Sequence, residues 1–288
     1  MTPNVDLAGS TALVTGGGRG VGRVLASALA AAGSHVGLIA RSGPELDQSV
    51  TRIRDQGGVA HSAVADIRDP EATRSAVQKL RRQLGPVDLL INNAGIWGPV
   101  GPTWEVPEAD WWHAVEINLR GVGLCSREVL PEMIERRQGR IVNITSRAGV
   151  YRWPWATAYS VSKAAVVKLT ENLAEETGRH HVHVFSVDPG LLRIGLSDPA
   201  YAETASTDTP VGLMHSWVRR EIAAGRGAEP EQAIEIVLRI AAGEADELSG
   251  RHISAHDDFE AMLSSGAGLR EDDLHVLRVQ RLPHESPV

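Results

Sequence analysis

The chain has 288 residues, 29 Lys+Arg against 36 Asp+Glu, a formal net charge of −7 and one cysteine. An acidic balance without a basic block excludes a nucleic-acid partner, because neutralising phosphates takes clustered Lys and Arg. Cys125 alone can make neither an intrachain disulfide nor a thiolate zinc cluster, which points to the reducing cytoplasm. The longest alanine-rich run, 24–32, is far short of the ~20 residues of a membrane span, so a soluble protein without membrane contact is expected.

Short β-branched apolar runs at 11–15, 35–40, 59–65, 88–92, 140–145 and 182–187 read as strands, with a last one at 251–254. Between them apolar residues recur at three-and-four spacing, as at Val21, Leu25, Ala28, Leu29 and Ala32, or within 46–56 around Ile53. These stretches read as helices. Such alternation requires right-handed crossovers and a mainly parallel sheet of about seven strands covered on both faces, which predicts one doubly wound α/β domain over 1–288. Residues 95–107 and 191–210 are rich in Gly, Pro, Ser and Thr and follow strands. Loops at the carboxyl ends of such strands surround the ligand crevice, so both read as pocket walls or as plain surface loops, with 191–225 as a candidate lid. Residues 256–288 form an extension whose role the sequence does not disclose.

Thr15-Gly16-Gly17-Gly18-Arg19-Gly20-Val21-Gly22 lies between the first strand and the first helix. Glycines there permit a tight turn, let the backbone approach a pyrophosphate and leave helix N-terminal amides facing its oxygens, so a dinucleotide is the expected ligand. The second strand ends in Ala40-Arg41, where an NAD-binding chain often carries an acidic residue on the ribose. Arg41 and Arg19 are placed to flank that ribose and take a 2′-phosphate, which favours NADP(H) and leaves NAD(H) possible. A solvated arginine at a strand end is the plainer reading of Arg41.

Tyr159 and Lys163, in YSVSK, lie four apart at the start of a helical stretch and project from one face. The chain's three tyrosines and three lysines would give this spacing by chance about 0.03 times. An ammonium beside a phenol favours phenolate, so the phenol is expected to titrate below its ordinary value and relay a proton. Ser146, at the end of the fifth strand, is placed to hold a carbonyl oxygen beside it.

With TGGGRGVG at 15–22, Asp66-Ile67, NNAG at 92–95, INLRG at 117–121, Ser146, YSVSK at 159–163 and Pro189-Gly190, the chain resembles the short-chain dehydrogenase/reductase family over about 9–254. The resemblance implies a Rossmann-type fold in which Tyr159 is the general acid/base. Lys163 lowers its pKa and holds the nicotinamide ribose, and Ser146 polarises the carbonyl. It implies further that Asn118 fixes a water in a relay ending at Lys163, and that Asp66 meets the adenine amine. Backbone near Ile67 and Asn93, within Asn93-Ala94-Gly95, would line the adenosine, while Asn92 ties neighbouring strands together. Pro189 and Gly190 precede the nicotinamide loop, where the family's usual threonine is Ile194, so the amide of Leu192 is the expected substitute grip. Assembly as a homotetramer or homodimer through long helices at 108–136 and 157–178 is implied as well.

His181 and His183 are placed on one strand face near His180, a pair that can ligate zinc, but no third ligand is indicated, so no metal is expected. Trp97, Trp104, Trp111, Trp153 and Trp155 follow strands and suit either a bulky, ring-bearing ketone or alcohol or ordinary packing. Trp112 and Trp217 read as packing. Arg147 and Arg152 flank the segment between Ser146 and Tyr159 and either meet an anionic group or point to solvent. The expected activity is NADP(H)-dependent hydride exchange between a ketone and a secondary alcohol. The alternative is a non-catalytic NADP(H)-binding scaffold or sensor.

Overall fold

A computed structural model describes residues 5–197 and 209–279. Seven strands form one wholly parallel sheet: β1 (Thr11–Thr15), β2 (His35–Ala40), β3 (Ala60–Val64), β4 (Leu89–Asn92), β5 (Gly139–Ile144), β6 (Val182–Asp188) and β7 (His252–Ser254), in the order β3-β2-β1-β4-β5-β6-β7. The order reverses between β1 and β4. Connections leave in opposite directions there and open a crevice at the carboxyl ends of the strands.

The central strands are buried on both faces, as their unbroken apolar runs require. On one face α1 (Gly20–Ala31), α2 (Gly43–Asp55) and α8 (Pro230–Ala242) cover Val14, Val36, Ile91, Phe185 and Ile253. On the other, α3 (Pro70–Leu84), α5 (Gly121–Arg136) and α6 (Thr157–Thr177) cover Leu13, Ile39, Leu90, Ile141 and Val184. Start signals in the sequence act locally: Ser42 caps α2, and the Asp69 carboxylate accepts from the amides of Glu71 and Ala72 ahead of α3, with Pro70 in its first turn.

Two expectations change. The long helix over 108–136 is broken into α4 (Glu108–Val115), a π-helical turn (Glu116–Arg120) and α5. The Asn118 side chain, inside that turn, binds the backbone of Ile96, and a widened turn at such a site is a known accommodation. Second, the segment from Leu191 is not uniformly irregular: a 3-10 turn at Gly195–Ser197 precedes α7 (Pro210–Ala223), capped by Thr209. Residues 198–208 of the candidate lid lie outside the described residues. In the extension, α9 (Phe259–Ser264) and α10 (Gly266–Glu271) place Phe259, Met262 and Leu269 in the core. No described helix is long and apolar enough to cross a membrane.

Candidate active site

A cleft of about 850 Å³ follows the carboxyl ends of the strands. Sheet order puts the β2 and β3 ends, with Arg41, Asp66 and Ile67, on one side, and the β5 and β6 ends, with Ser146 and Asp188, on the other. Every residue singled out for a cofactor lines it: Gly16, Arg19, Gly20, Val21, Arg41, Asp66, Ile67, Asn93, Ala94, Gly95, Tyr159, Lys163, Pro189, Gly190 and Leu192. Asn118 does not, because it is fully buried behind the wall.

The glycine turn is fixed by side chains from β1 and β4. Thr15 Oγ1 accepts from the amides of Asn93 (3.0 Å) and Ala94 (3.1 Å), and Asn93 Nδ2 donates to the Thr15 carbonyl (2.9 Å). At Gly16, φ is 67° and a Cβ would stand 2.9 Å from Ala94 Cα; at Gly20, φ is 53° and a Cβ would stand 2.9 Å from Gly195 Cα. Only glycine permits this backbone and this approach of the loop after β6. The first turn of α1 has no acidic residue and no side-chain cap, so its leading amides remain for an external anion. That fits a dinucleotide pyrophosphate.

At the adenosine end Arg41 is exposed, directly after β2, and no acidic residue ends that strand. The two cations are not equivalent, since Arg19 Nε lies 3.9 Å from the Glu45 carboxylate. Asp66, expected on the adenine amine, already carries Arg68: its oxygens accept from Nε (3.1 Å each), Nη2 (2.7 Å) and the Arg68 amide (3.0 Å). The Arg68 guanidinium bond holds its carboxyl below the usual range. Each carboxylate oxygen has more than one acceptor site, so Arg68 orients Asp66 without exhausting it.

Ser146 follows β5 and its Oγ accepts from the Ala148 amide at 3.2 Å, which fixes it at the head of the 3-10 turn Arg147–Gly149. The Tyr159 phenol lies beside Ser146, whose hydroxyl acts to lower its pKa. One helical turn on, buried Lys163 donates from Nζ to the Ile144 carbonyl (2.7 Å), 5.6 Å from the centre of the Tyr159 ring. Asn118 Oδ1 accepts from the Ile96 amide, and its Nδ2 donates to the Ile96 carbonyl (both 2.9 Å) and to Ser162 Oγ (3.0 Å). Asn118 thereby joins the π-helical turn, the loop after β4 and α6. Asn92 Nδ2 donates to Asn143 Oδ1 (2.9 Å) and so ties β4 to β5.

The expected direction for the phenol is reversed. Burial pushes Tyr159 up to about 12, opposed by the Ser146 hydroxyl and reinforced by the Asp188 carboxylate. Burial also pushes Lys163 down to about 8, opposed by Asp188. Loss of water outweighs the Ser146 contribution at the phenol and the Asp188 attraction at the ammonium. Asp188, which sequence reasoning missed, is a buried carboxylate in the cleft wall that accepts from the Gly190 amide (3.0 Å) and Ser254 Oγ (3.2 Å). Its signal was an acidic residue at a strand's carboxyl end, immediately before Pro189-Gly190.

Among the tryptophans, Trp97, Trp153 and Trp217 line the cleft. Trp217, read as packing, meets Trp153 edge to face at 4.7 Å, because α7 folds over the crevice. Trp104 is 84% exposed and Trp112 54% exposed, so the latter is no core residue either. His181 sits in a left-handed turn ahead of β6 rather than on its face, which separates it from His183. Among the described residues no three His, Cys, Asp or Glu side chains converge as metal ligands. Ile194 lines the cleft and packs beside buried Leu192 and Ala228.

The family model described as short chain dehydrogenase matches residues 10–204. A short chain dehydrogenase of Pseudocercospora fijiensis (strain CIRAD86) is 35% identical over 95% of this chain and 90% of its own length. Gluconate 5-dehydrogenase of Gluconobacter oxydans (strain 621H) is 33% identical over 80% of this chain and 86% of its own. The crystal structure of actinorhodin polyketide ketoreductase with NADPH superposes with a TM-score of 0.77 at 30% identity, covering 88% of this chain and 97% of that one. The fold agrees with these likenesses, and the chain belongs to the short chain dehydrogenase family of oxidoreductases.

Proposed function

We propose that the protein is an NADP(H)-dependent oxidoreductase that interconverts a ketone and a secondary alcohol on a bulky, ring-bearing substrate. The observation that carries the reading is the Tyr159 phenol, beside Ser146 and backed by Lys163 inside a cleft of about 850 Å³. When bound, the nicotinamide supplies or accepts the hydride. In the reducing direction Tyr159 gives its phenolic proton to the carbonyl oxygen, and Ser146 Oγ donates to the same oxygen as negative charge develops on it. A phenol near 12 keeps that proton at neutral pH, so the acid form that reduction needs is the one present. Lys163 places a positive charge near the phenol and would hold the nicotinamide ribose, and Asn118 keeps the loop after β4 in register with α6.

Arg41, at a strand end without a carboxylate, supports NADP(H) over NAD(H), and the cleft tryptophans support a ring-bearing substrate. Arg19 plays the lesser part because Glu45 shares it. Buried Cys125 suits a reducing cytoplasm, and assembly as a homotetramer or homodimer is carried by the family likeness alone. The scaffold reading has no use for a buried lysine beside a phenol that shares the cleft wall with Ser146.

Tyr159→Phe tests the reading. Ketone reduction, followed by NADPH absorbance, should fall by about a hundredfold to ten-thousandfold. NADPH should still bind, and more tightly than NADH, by fluorescence titration. Full turnover by the variant defeats the assignment.

A further inference from the structure

Between Ser146 and Tyr159 the chain leaves the sheet, makes the 3-10 turn Arg147–Gly149 and returns as α6. That excursion puts Arg147, Arg152 and Trp153 in the wall of the cleft that Ser146 and Tyr159 also line, with Trp217 against Trp153. Several arginines elsewhere meet carboxylates: Arg68 meets Asp66, Arg140 meets Asp246 and Arg239 meets Glu244, at 2.6–2.7 Å. Within the cleft, Arg226 is likewise satisfied by Glu221, at 2.6 and 2.8 Å. Arg147 and Arg152 are exposed in the cleft wall and, like Arg41 at its other end, have no carboxylate partner among the described residues. Arg152 has no ion-pair or hydrogen-bond partner among the described residues, and the Arg147 guanidinium has only the Tyr151 ring, 5.2 Å from its centre.

We propose that the substrate carries a carboxylate on its ring system, received by Arg147 and Arg152 while the ring packs on Trp153 and Trp217. The proposal rests on the catalytic reading of the cleft and names the substrate class that the site takes. Guanidinium is planar and more weakly hydrated than ammonium, presents a fork that matches a carboxylate, and stacks on aromatic faces, so an arginine pair next to two indoles suits a ring bearing a carboxylate. Tyr151 holds Arg147 on one side and leaves its edge to donate. Glu221 lines the same cleft, and its own bidentate bond to Arg226 leaves Arg147 and Arg152 for a ligand. A neutral polyol would supply no counter-charge to either.

The test compares 2-naphthoate with 2-naphthalenemethanol, the same ring system with and without the charge, by calorimetric titration into the full chain loaded with NADP⁺. Naphthoate is expected to bind about tenfold or more tightly than the alcohol, in keeping with a charge-assisted pair. That ratio should collapse in Arg152→Met and shrink in Arg147→Met. Equal binding of the two, or a ratio unchanged in both variants, overturns the proposal. Reduction of 4-acetylbenzoate and of its methyl ester is measured in parallel. Absence of turnover with every ketone tried would count against the oxidoreductase reading, while the binding ratio decides the carboxylate independently.

Discussion

Asp188 ends β6 with its carboxylate buried, held by the Gly190 amide and the Ser254 hydroxyl, and it acts on both members of the Tyr159–Lys163 pair. Burial drives the Lys163 ammonium toward neutrality, near 8, and Asp188 is the opposing charge. As pH rises through 8, Lys163 gives up its proton, while the phenol, near 12, keeps its own. The kcat/KM of ketone reduction should therefore break downward near pH 8. Asp188→Asn removes the charge that supports the ammonium, so the break should move to lower pH by roughly one unit. A profile whose alkaline break does not shift would show that Asp188 does not set the lysine. The residue types for the chemistry were legible in the sequence because Tyr159, Lys163 and Ser146 sit at fixed spacings. The direction of the phenol shift was not, since it depends on how much water the folded cleft excludes.

At the scale of elements, the site is a contact between one turn and one helix. A Cβ on Gly149 would stand 2.8 Å from the Lys163 carbonyl carbon and 2.9 Å from the Ala164 amide, backbone atoms that cannot swing away. Gly149→Ala should push the turn that carries Ser146 off α6, which carries Tyr159 and Lys163. The expected cost is about 1–3 kcal/mol in chemical unfolding, with kcat reduced more than KM is raised. Gly178, at the end of α6 with φ −54° and nothing within 4 Å of a built Cβ, is the control: Gly178→Ala should stabilise by about 0.4–1 kcal/mol. Equal effects of the two would refute the close-packing argument. The strands were readable to within a residue or so because buried parallel strands are continuous apolar runs; β1 and β2 have the bounds the sequence implies. The break in the helix over 108–136 was not readable, because it follows from Asn118 pairing with Ile96, 22 residues earlier.

Across the whole molecule, the segment after α10 ties the sheet's last strand to its longest helix. β7 is an edge strand, and its outward amide, that of His252, donates to the His275 carbonyl (2.8 Å) while His275 Nδ1 pairs with the His252 carbonyl (3.1 Å). Further along, the Leu277 amide (2.7 Å) and Arg278 Nη1 (2.9 Å) donate to Glu171, a side chain only 8% exposed on α6. Partners 106 residues apart leave no periodic trace, which is why the extension had no readable role. An uncovered edge strand invites pairing with other chains, and this strap covers it. Glu171→Ala removes the anchor on α6 and should cost about 0.5–1.5 kcal/mol, the net worth of hydrogen bonds to partners that water can still reach. The sharper readout is local: with the strap loosened, the His252 amide should exchange with deuterium markedly faster, while amides in β4 and β5 change only as far as global stability does. Unaltered protection at His252 would mean that β7 is covered without help from Glu171.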